Sequence, residues 1–248
     1  LHNQLSADVL GLSNGETTFA CYCEPKGRVL ALMLVCRADE DYYVIMSSSL
    51  VMAVIKRLKI YVMRSKVLIE VLNGYQVFGH QSEVVPEPPS IPISVKPLPD
   101  SKRWYLVSSD DISPDKIGPG RDGWKIAELQ QGITWLCPET SGKFLPQMLG
   151  FDQLGAVNFR KGCYPGQEIV ARTHYLGKVK RHPRLLCSSE IINVNPMDKI
   201  QIFSQGQPYQ AIITDSGQRV DGGGGRPRTR GGRRATRPVG RAPPAARG

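Results

Sequence analysis

The stretch "RKGCYPGQEIVAR", residues 160–172, decides how the chain is read. Gly162 and Gly166 bracket a bend, and Pro165 fixes its own φ and suits the start of a helix. "GQEIVAR" then enters that helix, with Glu168 in the first turn, where the helix dipole favours an acid. Cys163 thus sits beside a helix N-terminus with Arg160 and Lys161 close by in sequence, and both influences favour the thiolate. The residues alone leave three roles open for Cys163: nucleophile, metal ligand, or packing at a bend. Free cysteine is most often buried packing.

Working outward, residues 18–23 alternate as a short strand, "EPKG" (24–27) is a turn, and "RVLALMLVCR" (28–37) is a strong strand. The acidic turn "ADED" (38–41) leads to "YYVIM" (42–46), so 28–46 reads as a hairpin. "SSS" (47–49) is able to cap a helix on which Leu50, Val54, Leu58 and Tyr61 recur at helical spacing. "KVLIEV" (66–71) is expected to be the next strand, and this β-β-α-β order suits an open sheet with helices on one face. Six prolines within 86–99 predict an extended crossing between units. "WYLVS" (104–108) resumes a strand. "DGWKIAELQQGI" (122–133) reads as a helix that Asp122 is able to cap, with Ile126, Leu129 and Ile133 on one side. Residues 137–149 are loop-rich, and Leu185–Cys187, Lys199–Phe203 and Gln210–Thr214 read as short strands of a small barrel.

The totals bound the rest. At 248 residues the chain buries a real core and has room for one to three domains. Its longest uncharged apolar run, Tyr42 to Ile55, is too short to span a bilayer, so no membrane is expected as a partner. No basic-then-apolar leader opens the sequence, and a start at Leu1 is what a fragment or a processed chain shows. The six cysteines are scattered, apolar-flanked and free of any C-x-x-C pair, which fits a reducing cytoplasm better than a disulfide framework. The four histidines do not join them at zinc-ligand spacing, so no metal site is expected.

The net charge of +10 is concentrated at one end. From Arg219 onward there are nine arginines, one aspartate and no lysine, and the 218 residues before it sum to only +2. Direct nucleic-acid binding is therefore not expected except through that tail. The tail, residues 219–248, is rich in Gly and Arg and cannot form a packed element. It admits two readings: an RGG-like RNA-binding segment, or the product of a shifted reading frame. The abrupt change in composition, with neither lysine nor aromatics, favours the second.

"KGCYPGQEIVAR" (161–172) resembles the signature of the YgfZ family of folate-binding, tRNA-modification-linked proteins. That family is related to the glycine-cleavage T protein and to mitochondrial iron–sulfur assembly factors. The similarity extends to "NQLSADVLGLSNGETTFACYCEPKGRVLALMLVCR" (3–37), with its Cys23-x-x-Lys26-Gly27 turn, and to the block 141–168. It covers roughly residues 3–215.

The resemblance implies an α+β, T-protein-like fold: two mixed α/β units around a folate channel, followed by a small β-barrel, here incomplete. Its implied limits are a core over 1–183, a partial barrel over 184–218 and the tail over 219–248. It implies tetrahydrofolate or a derivative as cofactor, iron–sulfur enzymes or assembly proteins as partners, and a cytoplasmic accessory role rather than a defined turnover. The family's motif cysteine maps to Cys163, making it the candidate functional thiol. Lys161, Gly162, Tyr164, Gly166, Gln167, Glu168 and Arg172 match the rest of the motif, and a folate-contacting tryptophan maps to Trp124.

Departures are equally specific. The family's other folate-contacting tryptophan lies upstream of the "NQLSADV" region. A run that often carries "IEAGxPxxx" in relatives is replaced by "ELQQGITWLCPET" (128–140), where Glu128 is available for a nearby polar role. The acidic pair of the T protein falls on Ala31 and Leu32, neither of which transfers a proton. This disfavours the alternative function, a folate-dependent one-carbon transferase.

Overall fold

The structure, a computed structural model, describes residues 1–62, 66–81, 94–95, 102–108, 120–188, 190, 192–204 and 207–217. The tail 219–248, and the 86–99 crossing apart from Ser94–Val95, lie outside the described residues.

The N-terminal half is built on an antiparallel meander, β1 (Thr17–Cys23), β2 (Val29–Ala38) and β3 (Asp41–Ile45), in spatial order β1-β2-β3. Both hairpins are closed by short turns that the sequence announces. Gly27 takes φ +75° between β1 and β2, and its N–H donates to the Glu24 carbonyl. Asp39 takes φ +54° between β2 and β3, held by a reciprocal pair of hydrogen bonds with the Asn14 amide. The first eight residues of β2 are all buried, so both faces of this central strand are covered, as its unbroken apolar run requires.

The register of β1 shifts between Tyr22 and Cys23. The Tyr22 hydroxyl lies within electrostatic reach of Arg57 and Tyr61 of α1 (Val51–Val62). Cys21 and Cys23 lie within the same reach of Tyr164. Leu50 and Val54 are buried in the common core, which also takes in Phe144, Leu149, Phe151 and Val157 from the loop-rich stretch and Val170 from the motif helix.

Three local expectations are corrected. The serines do not cap α1 through their side chains. They open a 3-10 turn, Ser48–Leu50, and Ser47 and Ser49 bond each other instead. "KVLIEV" (66–71) is irregular and mostly exposed, because β-propensity makes a strand only where an edge accepts it. The open β-β-α-β sheet is therefore absent among the described residues. The next strands, β4 (Gln76–Gln81), β5 (Ser94–Val95) and β6 (Arg103–Ser108), form a separate antiparallel sheet in order β4-β6-β5.

The helix expected over 122–133 is α2 (Gly120–Gln130). It starts two residues early, which places Asp122 inside the first turn rather than at the cap. The motif helix is α3 (Gln167–Tyr175).

At the C-terminal end, β7 (Lys199–Ser204) and β8 (Gln207–Ile212) form a two-stranded hairpin. Leu185–Cys187 is not a strand but exposed irregular chain, and the last strand sits at 207–212 rather than 210–214. Mixed α and β structure is thus observed, and the strands among the described residues pair antiparallel.

Candidate functional site

The motif bend is assembled by groups that leave its thiol outside. The Asn158 side chain accepts the N–H groups of Arg160 and Lys161 at 2.8 and 3.1 Å and so turns the chain. The Lys161 ammonium then donates to the carbonyls of His2 and Leu5, each at 2.6 Å, tying the N-terminal segment to the bend. Burial lowers its pKa to about 8. Gln167 donates to the Lys161 carbonyl across the turn.

Tyr164 goes inward. It is buried beside Cys23 and Cys21, and burial first, then the thiols, hold its hydroxyl well above the ordinary tyrosine range. Those two thiols are buried as well; burial pushes Cys23 up to about 12, so neither is an available nucleophile.

Gly166 caps α3 at φ +81°, and a Cβ there would meet the Glu24 carbonyl and the Gly27 backbone at about 2.5 Å. Gly27 in turn faces Ile169 and the Gly166 carbonyl. The turns of the two matching segments, 23–27 and 161–166, therefore pack backbone to backbone, which only glycine permits. Gly162, Glu168 and Arg172 are exposed, and Cys163 is exposed at the apex. Lys161, which the sequence places next to the thiol, has its ammonium committed to the N-terminal carbonyls.

A second constellation gathers around Trp124. This residue and Glu128 lie four apart on α2, hence on one face. Trp124 Nε1 donates to Glu128 Oε1 at 3.0 Å, Trp135 Nε1 donates to the same oxygen at 3.0 Å, and so does the Tyr105 hydroxyl of β6. Glu128 is only 7% exposed. A carboxylate is tolerated there because three donors converge on it. Burial and that carboxylate raise the Tyr105 hydroxyl, which keeps its proton and remains a donor.

The rings pack edge to face, Tyr105 to Trp124 at 5.4 Å and 76°, and Tyr105 to Trp135 at 6.3 Å and 79°. Gly79 of β4, paired with Tyr105 in register, is the seat of the Trp124 indole: a Cβ at that position would overlap the ring.

Trp124, Glu128 and Trp135 line a cleft of about 330 Å³, with Leu136, Cys137 and Asp215 among its other walls. Asp215 is held by Lys125 of α2 at 2.6 Å, which keeps the chain after β8 against the helix. The volume lies at the low end for a small-molecule site. Cys163 does not line this cleft, so the structure does not bring the two principal candidates, Trp124 and Cys163, to one wall. Sequence reasoning missed Tyr105, Trp135 and Gly79. The i,i+4 spacing of Trp124 and Glu128 was the available signal for the carboxylate. Ala31 and Leu32 are buried core residues of β2, opposite Tyr22 and Cys21. Among the described residues no cluster of His, Cys, Asp or Glu is placed to hold a metal ion, and no helix is long and apolar enough to cross a membrane.

No profile of a known protein family matches the chain. Individual proteins do. A Haemophilus influenzae protein described only as uncharacterized is 32% identical over 184 residues, which cover 73% of this chain and 64% of that protein. The tRNA-modifying protein YgfZ of Klebsiella pneumoniae is 29% identical over 206 residues, covering 73% of this chain and 63% of its own length. That of Colwellia psychrerythraea is 26% identical over 204 residues, with the same coverage. The chain thus spans a little under two thirds of the length of the relatives it matches.

Proposed function

We propose that this chain, which belongs to the YgfZ family, is a cytoplasmic folate-binding accessory protein that supports tRNA modification through the upkeep of iron–sulfur proteins. The link to tRNA modification rests on the names of its relatives. The folate reading rests on one observation: a buried carboxylate, Glu128, collects two indoles and a phenol at the edge of a cleft. Indole faces suit a flat heteroaromatic ring, and a fixed carboxylate suits the neighbouring N–H donors on the edge of a pterin. In this reading tetrahydrofolate or a derivative occupies the cleft with its ring against Trp124. The T-protein-like arrangement is part of the same proposal: the core over 1–183 encloses the folate, and 184–218 contributes to an incomplete barrel.

Cys163 is the proposed functional thiol. It supports this role by being the exposed group of a bend whose other side chains are largely anchored. Iron–sulfur enzymes or their assembly proteins are the proposed partners.

The test of the folate reading is titration with tetrahydrofolate, followed by tryptophan fluorescence in the wild type and in Trp124→Phe. Saturable quenching in the wild type, reduced and weakened in the variant, is expected. A wild type that shows no saturation removes the reading.

A further inference from the structure

We propose that the surface formed by residues 159–160 and 172–184 is a binding site for single-stranded RNA. Averaged over the folded part the charge is small, but between Asn158 and Arg184 there are seven Lys and Arg residues against one acid, Glu168. Lys161 is tied down by the N-terminal carbonyls. The other six, Arg160, Arg172, Lys178, Lys180, Arg181 and Arg184, are all exposed. Among the described residues, the ion pairs are His2–Asp8 and Lys125–Asp215, so none of the six is neutralised by a carboxylate. Glu168 stands one turn before Arg172 on the same face of α3, and no ion pair joins them.

An aromatic platform lies within this charge. The Phe159 ring stacks flat on His174, with centroids 3.8 Å apart and planes at 18°. Tyr175 stands edge-on to both, and it is 65% exposed. The Phe159–His174 stack fixes the motif loop against the C-terminal end of α3, from which a basic segment runs on. That segment has no regular secondary structure through residue 184. Its course is set by Pro183, which lies against Gly150, where a Cβ would approach it to 3.0 Å.

Exposed aromatic faces interleaved with unpaired cations match the chemistry of an unpaired strand: bases stack on the rings and phosphates take the cations. A duplex satisfies only the second requirement. An anionic membrane is the competing class, and the exposed Leu176, Leu185 and Leu186 at the ends of the stretch are its argument. The basic segment between them forms no helix, however, and so has no apolar face to lay on a bilayer. This site is separate from the folate cleft, and neither proposal depends on the other.

The test uses the full chain and a fluorescein-labelled 12-nucleotide unpaired RNA, with a duplex RNA of the same length and phosphatidylserine vesicles as comparison ligands. In the wild type, binding of the unpaired RNA is expected to be tightest and to weaken steeply with salt. Neutralising Lys178, Lys180, Arg181 and Arg184 together to Gln is expected to weaken it more than tenfold and to flatten the log–log salt slope by roughly 3, at about 0.7 per phosphate contact. Tyr175→Ala is expected to weaken unpaired RNA roughly tenfold while leaving duplex binding unchanged.

All these positions are exposed, so melting temperatures should match the wild type, and tetrahydrofolate titration of the same variants shows separately whether the cleft is intact. Unchanged RNA affinity in the fourfold variant overturns the proposal and moves any binding to the tail. Vesicle binding at least as tight as RNA binding, lost in the same variant, overturns it in favour of a membrane.

Discussion

Cys163 and Glu128 make opposite use of their surroundings. The thiol is exposed while its neighbours in the motif are anchored, so Cys163→Ser should fold with an unchanged melting temperature yet fail to restore iron–sulfur enzyme activity in a deletion strain. Full restoration by the serine variant would count against a thiol role. Glu128 is buried and its oxygen is the acceptor for three donors, so Glu128→Ala leaves two indole N–H groups and a hydroxyl without their acceptor and should cost about 3 kcal/mol or more in denaturant unfolding.

The buried thiols carry a pH signature. Burial raises Cys23 from 9.0 to about 12, so the folded state holds its proton where the unfolded chain releases it. The stability this contributes is fully present below pH 9 and is lost as pH rises towards 12, up to about 4 kcal/mol. Lys161 acts oppositely: with its folded pKa lowered from 10.5 to about 8, it adds stability as pH rises through that window. The clean readout is therefore differential, and Cys23→Ala should show a shallower alkaline decline than the wild type. Parallel curves would refute the assignment.

At the scale of elements, legibility followed sequence distance. The β1–β2–β3 meander was visible because its strands adjoin and its turns carry Gly27 and the acidic Asp39 turn. The second sheet was not, since β4 pairs with β6 rather than with its neighbour in sequence, and "KVLIEV" looked like a strand while lacking an edge to join. The cleft was legible only in part: Trp124 and Glu128 share a helix face, but Tyr105, Trp135 and Gly79 arrive from other segments. The Gly166–Gly27 contact was equally invisible, although both glycines had been singled out within their own turns. It makes a sharp prediction. Gly166→Ala places a methyl group into the Glu24–Gly27 turn at a left-handed φ, and should cost about 2 kcal/mol or more in chemical denaturation. Gly162→Ala, in the same motif but with nothing near its Cβ, is the control and should be nearly neutral.

On the scale of the whole molecule, the resemblance to YgfZ proteins was readable from two separated segments that the fold brings into contact, and the charge balance was readable only as an average. What composition hid is that the folded part gathers its excess cations on one exposed stretch. The central claim nevertheless concerns the cleft: that the indoles and the carboxylate on α2 and its surroundings hold a folate. Isothermal titration of tetrahydrofolate into the wild type and into Glu128→Gln tests it most directly, with a circular-dichroism melt confirming that the variant is folded. The account predicts saturable one-to-one binding to the wild type and at least tenfold weaker binding to a folded Glu128→Gln. Equal affinity in the two proteins, or no heat of binding to the wild type, would contradict it.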